Sequence, residues 1–161
     1  MIELQLQYAT TSTHLPEVSR IESWIRATVL PEMDKVILGI RIVDEAESAE
    51  LNERYRNKPT PTNVLSFPYD GPDFAAMDEI DEDDVIPEPE LGDLVICAPV
   101  VEREATEQDK TIEAHWAHMI VHGVLHLQGY DHIEQTEAEQ MEALERTILA
   151  NLGFPDPYLK A

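Results

Sequence analysis

Four of the six histidines, His115, His118, His122 and His126, share one short apolar stretch, and a fifth, His132, follows closely. Residues 122–132 read His-Gly-Val-Leu-His-Leu-Gln-Gly-Tyr-Asp-His. In a helix, positions four apart lie one turn apart on one face, so His122 and His126 project together. That separation lets two imidazoles reach one ion at about 2.0–2.1 Å each. Gly129 can adopt the positive φ that reverses a chain after a helix, which brings His132 back as a third ligand. Three neutral imidazoles leave the charge of a divalent ion uncancelled and a fourth position open to water, as at catalytic zinc sites. The expectation is therefore one Zn²⁺ on His122, His126 and His132, although the same donors also suit nickel, copper or cobalt. His118, one turn before His122, and Asp93 and Asp131 are candidates to hold the ligand imidazoles from behind.

The spacing H-x-x-x-H-x-x-G-x-x-H equals that of metzincin peptidases, whose second residue is a glutamate acting as general base. Here that residue is Gly123. The spacing supplies the ligand geometry of a peptidase without its base.

These residues need a frame. Residues 2–8 alternate apolar and polar (Ile2, Leu4, Leu6, Tyr8), as a half-buried strand does. Val18, Ile21, Trp24, Ile25 and Val29 recur at helical spacing between Pro16 and Pro31. Val36 to Val43 reads as a second strand. Asp44, with Glu47 three positions on, reads as a capping box opening a helix to about Tyr55. Residues 63–67 and 94–97 read as two further strands, and the chain is helical from Pro99 onward. Asp109 is placed to cap the histidine-bearing helix, and a last helix runs from about Thr136 to Asn151, stopped by Gly153 and Pro155. The order β-α-β-α-β-β-α-α-α predicts one α+β domain over residues 1–161. It would hold a mixed, partly parallel four-stranded sheet with flanking helices and a metzincin-like histidine helix. The direction of the third strand against the fourth stays open.

The chain of 161 residues carries 11 basic and 33 acidic residues, a formal charge of −22. Such a field repels nucleic acid and anionic lipid, so a polyanionic substrate needs a local basic patch or a metal. Arg54, Arg56 and Lys58 supply a local patch within five positions. Residues 78–90 hold eight acids and no base, which reads as a solvated loop insertion at about 70–90. An EF-hand there lacks its central glycine. A single cysteine, Cys97, forms no internal disulfide and fits a reducing compartment. The start of the chain lacks the pattern of a secretory leader, and no apolar run is long enough for a membrane span. A cytoplasmic protein is expected.

The string His122–His132 resembles the signature of the YbeY family of metal-dependent endoribonucleases. Tyr55-Arg56-Asn57-Lys58-Pro59-Thr60-Pro61-Thr62-Asn63-Val64-Leu65-Ser66-Phe67-Pro68 and Leu91-Gly92-Asp93-Leu94-Val95-Ile96 resemble two further blocks of that family, in the same order. The likeness covers most of the chain, is weakest over residues 1–35 and is absent over the acidic stretch. It implies single-strand-specific cleavage of RNA in the maturation of ribosomal RNA, notably that of the small subunit, and in ribosome quality control. It also implies zinc on His122, His126 and His132, with His122 in the catalytic centre. Arg56 matches the family's functionally important arginine, and its planar fork suits a phosphate. Lys58 and Asn63 of the same block are expected as further substrate contacts. The implied partners are single-stranded rRNA and the ribosome or its small-subunit precursor, with no DNA and no membrane. Attack by activated water and attack by the RNA 2′-OH are both compatible with this pattern. The rival readings are a zinc peptidase or other metallohydrolase, and a ribosome-biogenesis binding protein whose metal is structural.

Overall fold

The computed structural model describes residues 2–29, 36–68, 90–129 and 135–158. The acidic stretch at 70–89 and the segment with Asp131 and His132 lie outside the described residues. In chain order the elements are β1 (Ile2–Ala9), α1 (Val18–Thr28), β2 (Val36–Val43), α2 (Glu45–Arg56), β3 (Val64–Pro68), β4 (Glu90–Cys97), α3 (Ala98–Glu107), α4 (Ile112–Leu127) and α5 (Gln135–Asn151). The four strands form one sheet in the order β1-β2-β4-β3. β1, β2 and β4 run parallel, while β3 returns antiparallel on β4 with Val64 opposite Ile96 and Phe67 opposite Asp93. The sheet is thus mixed, and β3 is its edge on the side of the site.

Strand alternation divides the side chains between two faces. On one face Val36, Leu38, Ile40 and Ile42 of β2 and Leu94 and Ile96 of β4 join the main core with Ile21 and Trp24 of α1 and Trp116, Ile120 and Val124 of α4. On the other, Val43, Leu65, Val95 and Cys97 form a smaller cluster with Val100 and the half-buried Leu51 of α2 and Phe67. α4 is apolar nearly all round and buried along most of its length, as a helix enclosed by a sheet and other helices must be. α1, α3 and α5 all pack against it.

The helix starts differ from the expected caps. Asp44 occupies the N-cap of α2, but its side chain makes no capping hydrogen bond. Its carboxylate instead accepts from the Thr10 hydroxyl and from the Thr11 amide and hydroxyl, tying the end of β1 to the end of β2. Glu47 does not close a capping box and pairs with Arg41 of β2 at 2.5 Å. α4 is capped by Thr111, whose hydroxyl accepts from the Ala114 amide at 3.1 Å, and not by Asp109. Asp109 has φ 54° in the turn before it, a conformation that short polar side chains tolerate.

A candidate active site between the histidine helix and the edge strand

α4 carries a ladder of four imidazoles. Successive ring centroids lie 6.0 Å apart (His115 to His118), 6.4 Å (His118 to His122) and 6.4 Å (His122 to His126), the last pair nearly parallel at 9°. His115 and His118 are buried, whereas His122 and His126 open into a cavity of about 350 Å³. Its other described walls are Arg56 from the end of α2, Thr62 and Asn63 from the loop after that helix, and Val64 and Ser66 of β3. None of these lining residues is acidic, although the chain carries −22.

Arg56 reaches the cavity because α2 ends there. Asn57 takes the left-handed conformation at φ 58° and its amide bonds back to the Glu53 carbonyl, which closes the helix and turns the chain toward β3. The connecting loop is fastened to α2: Ser48 Oγ donates to the Thr62 carbonyl and accepts from the Thr62 amide, both at 3.0 Å. Asn52 Nδ2 donates to the Thr60 carbonyl at 2.8 Å.

Two carboxylates hold the site from behind, one fully buried and one half-buried. The first is Glu145 of α5, fully buried. Its Oε1 lies 2.7 Å from His122 Nδ1, its Oε2 lies 3.3 Å from His118 Nε2, and Oε2 also accepts from the Tyr158 hydroxyl. Burial works to raise the pKa of this carboxyl, but the hydrogen bonds from His118, His122 and Tyr158 outweigh it and lower the value to about 2. An ionised carboxylate only accepts, so His122 donates through Nδ1–H. In the neutral imidazole Nε2 then carries the lone pair, the form in which histidine binds metals. Burial lowers the pKa of His118, which keeps that ring neutral. The second carboxylate is Glu104 of α3, which accepts from Asn63 Nδ2 at 3.1 Å and lies 3.0 Å from Nε2 of buried His115. Burial raises its pKa, yet the bonds from His115 and Asn63 prevail and leave it below its ordinary value. Asn63 Oδ1 accepts from the Val64 amide at 2.7 Å, so the Asn63 side chain is held on both sides as β3 begins.

The structure thus brings Arg56, Asn63, His122 and His126 to one cavity and places His118 directly behind His122. Lys58 is exposed and does not line the cavity. Asp93 is not brought to the histidines. It lies on the opposite face of the sheet, where its carboxylate crowds Gly39 of β2 so closely that a Cβ there would meet Oδ1 at 2.1 Å. Strand alternation explains this: Leu94, next in β4, points at α4, so Asp93 must point away. His132 and Asp131 lie outside the described residues. Glu145 escapes the motif-based reading because it sits far from every motif. Its signal is an acid on the apolar stripe of α5, four residues after Met141 and four before Leu149, both buried.

Gly123 shows why no peptidase base stands beside His122. An ideal Cβ there would lie 2.8 and 2.9 Å from the two methyls of fully buried Leu94. The helix rests on β4 so closely that any side chain at 123 must displace Leu94.

No group of three or more histidine, cysteine, aspartate or glutamate side chains among the described residues forms a ready metal cage. The donor chemistry nevertheless fits zinc. Two imidazoles one turn apart face one polar cavity, and the rear nitrogen of the first is engaged by a buried carboxylate, the usual arrangement behind a metal-bound histidine.

Fold and cavity together define an α+β protein with a polar site between a histidine-bearing helix and the edge strand of a mixed sheet. The same fold occurs in the solution structure of TM1509 from Thermotoga maritima, which is 24% identical, with 99% of each chain covered and a TM-score of 0.50. The family described as Endoribonuclease YbeY matches residues 7–153, and the chain belongs to that family. It is accordingly an endoribonuclease, a hydrolase of RNA, in a family that serves ribosomal RNA maturation. No described helix is long and apolar enough to cross a membrane.

Proposed function

We propose that the chain is a zinc-dependent, single-strand-specific endoribonuclease that matures ribosomal RNA, notably that of the small subunit, in the cytoplasm, and takes part in ribosome quality control. One observation carries this reading: Arg56 of α2 and His122 and His126 of α4 meet in a cavity with no acidic residue among its described walls, in a chain of charge −22. A phosphodiester repelled by the rest of the surface is accepted there.

His122 and His126 would hold the zinc, with His132 the expected third ligand. When bound, zinc acts as a Lewis acid on a phosphate oxygen and lowers the pKa of water. The Arg56 guanidinium grips a phosphate through two parallel N–H groups and steadies charge that develops on its oxygens. Glu145 keeps His122 donating from Nδ1, and Glu104 keeps the Asn63 amide turned toward it. Ser66 offers a hydroxyl on the β3 wall of the cavity. The peptidase alternative is disfavoured because Leu94 fills the place of a base at Gly123.

The test is cleavage of a labelled single-stranded RNA by metal-stripped protein, with and without zinc, beside the His126→Ala variant and a duplex of the same sequence. Zinc-restored cutting of the single strand, absent in His126→Ala and weak on the duplex, is the expected result. Cutting that survives both chelation and His126→Ala refutes the metal role.

A further inference from the structure

The chain continues past residues 7–153, the span matched by the family, and residues 154–158 return to the site. Gly153, at φ 92°, reverses the backbone after α5. Phe154 then lies edge-on to Trp24, with ring centroids 6.0 Å apart. Asp156 pairs with Arg146 of α5 at 3.2 Å and accepts from the Tyr158 amide at 2.9 Å. Lys110 Nζ donates to the Pro157 carbonyl at 2.8 Å. These contacts hold the Tyr158 ring edge-on against His118, centroids 5.5 Å apart, and under the Arg146 guanidinium at 5.2 Å. The Tyr158 hydroxyl ends on Glu145 Oε2.

We propose that Tyr158 and Glu145 form a positioning clamp for His122, in which the C-terminal strap fixes the carboxylate and the carboxylate fixes the imidazole with Nδ1–H inward and Nε2 as the zinc donor. The inference rests on the metal reading above. Its geometric basis is a chain of direct contacts, Tyr158 to Glu145 to His122, that runs from the surface strap to the cavity wall. Glu145 is a single acceptor group surrounded by three donors, from Tyr158, His118 and His122. Removing the Tyr158 hydroxyl lets the carboxylate turn toward His118 and away from its bond to Nδ1. Neither residue lines the cavity shared by Arg56, His122 and His126, so both act through His122.

The test uses the full chain and three samples: the parent, Tyr158→Phe and Glu145→Gln. Zinc affinity is measured by competition with a chromophoric chelator. The His122 tautomer is read in metal-stripped, ¹⁵N-histidine-labelled protein from long-range proton–nitrogen spectra. Thermal unfolding reports the fold separately. Changes behind a metal ligand typically cost about 10–100-fold in metal affinity, so Glu145→Gln is expected in that range. Tyr158→Phe, one contact further out, is expected to lose about 10-fold or somewhat less. The parent should show the Nδ1–H form of His122, and Glu145→Gln, whose amide can present either its oxygen or its NH2 to Nδ1, should weaken that preference. A Tyr158→Phe protein that melts earlier but binds zinc as the parent does would show a merely structural strap and overturn the clamp. A parent holding His122 in the Nε2–H form would overturn it as well. If Glu145→Gln does not fold, the milder Tyr158→Phe decides alone. A parent that takes up no zinc overturns the metal reading and this inference with it. A parent that binds zinc, with both variants binding equally well, overturns the clamp alone.

Discussion

Replacing Gly123 by alanine probes the contact that sets the height of the histidine helix above the sheet. The added Cβ would sit 2.8 and 2.9 Å from the Leu94 methyls, where ordinary contact begins at 3.4 Å. Leu94 is fully buried in the main core and has little room to retreat. Overpacking of this kind costs about 1–3 kcal/mol. Against it stands the better helix propensity of alanine, about 1 kcal/mol. The variant should therefore be destabilised by about 0–2 kcal/mol, the remainder of these two terms. Leu94→Ala alone opens a cavity and should cost about 2–5 kcal/mol. In that background the overlap is gone and only the propensity gain is left, so Gly123→Ala should become stabilising by about 1 kcal/mol. The change of sign is the signature, a coupling within the usual range for residues in contact of about 0.5–3 kcal/mol. Urea denaturation of the four proteins measures it through the midpoint at constant slope. If Gly123→Ala stabilises the parent, or acts equally in both backgrounds, the close approach of α4 to β4 is not what selects glycine here. The same contact bears on chemistry, because a lifted α4 carries His122 and His126 away from β3 and Arg56, and RNA cleavage should fall with it.

Arg56 is exposed at the end of α2, so Arg56→Ala should leave the urea midpoint within about 0.5 kcal/mol of the parent. Its cleavage of single-stranded RNA should nevertheless drop by about 10²–10³-fold, the usual cost of losing a donor to developing charge. Arg56→Lys keeps the charge but loses the fork and should remain well below the parent; equal cutting by the lysine variant would rule out the bidentate role. Stability of the metal-free protein should fall on acidification, for two reasons of the same sign. Glu145 titrates at about 2 in the fold and near 4.5 outside it, so its contribution is present above about pH 4.5 and is lost as pH falls toward 2. His118 is held neutral with a lowered pKa, so the unfolded chain takes up a proton first and stability declines as pH drops below about 6.5. Urea midpoints taken between pH 7 and pH 4 in about 0.5 M salt, which screens the repulsion within the acidic chain, should decrease steadily. A midpoint that does not fall between pH 7 and pH 4 contradicts the lowered pKa of His118, and the loss of the Glu145 contribution should follow only below about pH 4.5.

Residue type and spacing alone determined the element order, the helical register that puts His122 and His126 on one face, the turn at Gly129 and the segment that carries Arg56. Local rules suffice for these, because strand alternation, the 3.6-residue repeat and glycine turns act between near neighbours. Where a local rule competed with a distant partner, the partner prevailed: Asp44 bonds Thr10 and Thr11 instead of its own helix, and Glu47 turns to Arg41. Tertiary structure alone decided the antiparallel return of β3 on β4, and with it the edge that faces α4. It alone sent Asp93 to the far face of the sheet, since the core assignment of Leu94 fixes the parity of β4. It also supplied Glu145 and Tyr158, which reach the histidines across 23 and 13 positions of sequence through bonds no periodicity encodes, from His122 to Glu145 and from Glu145 to Tyr158. A sequence displays which groups can donate or accept, but a buried carboxylate acquires its three donors only when helix, strap and sheet close around it.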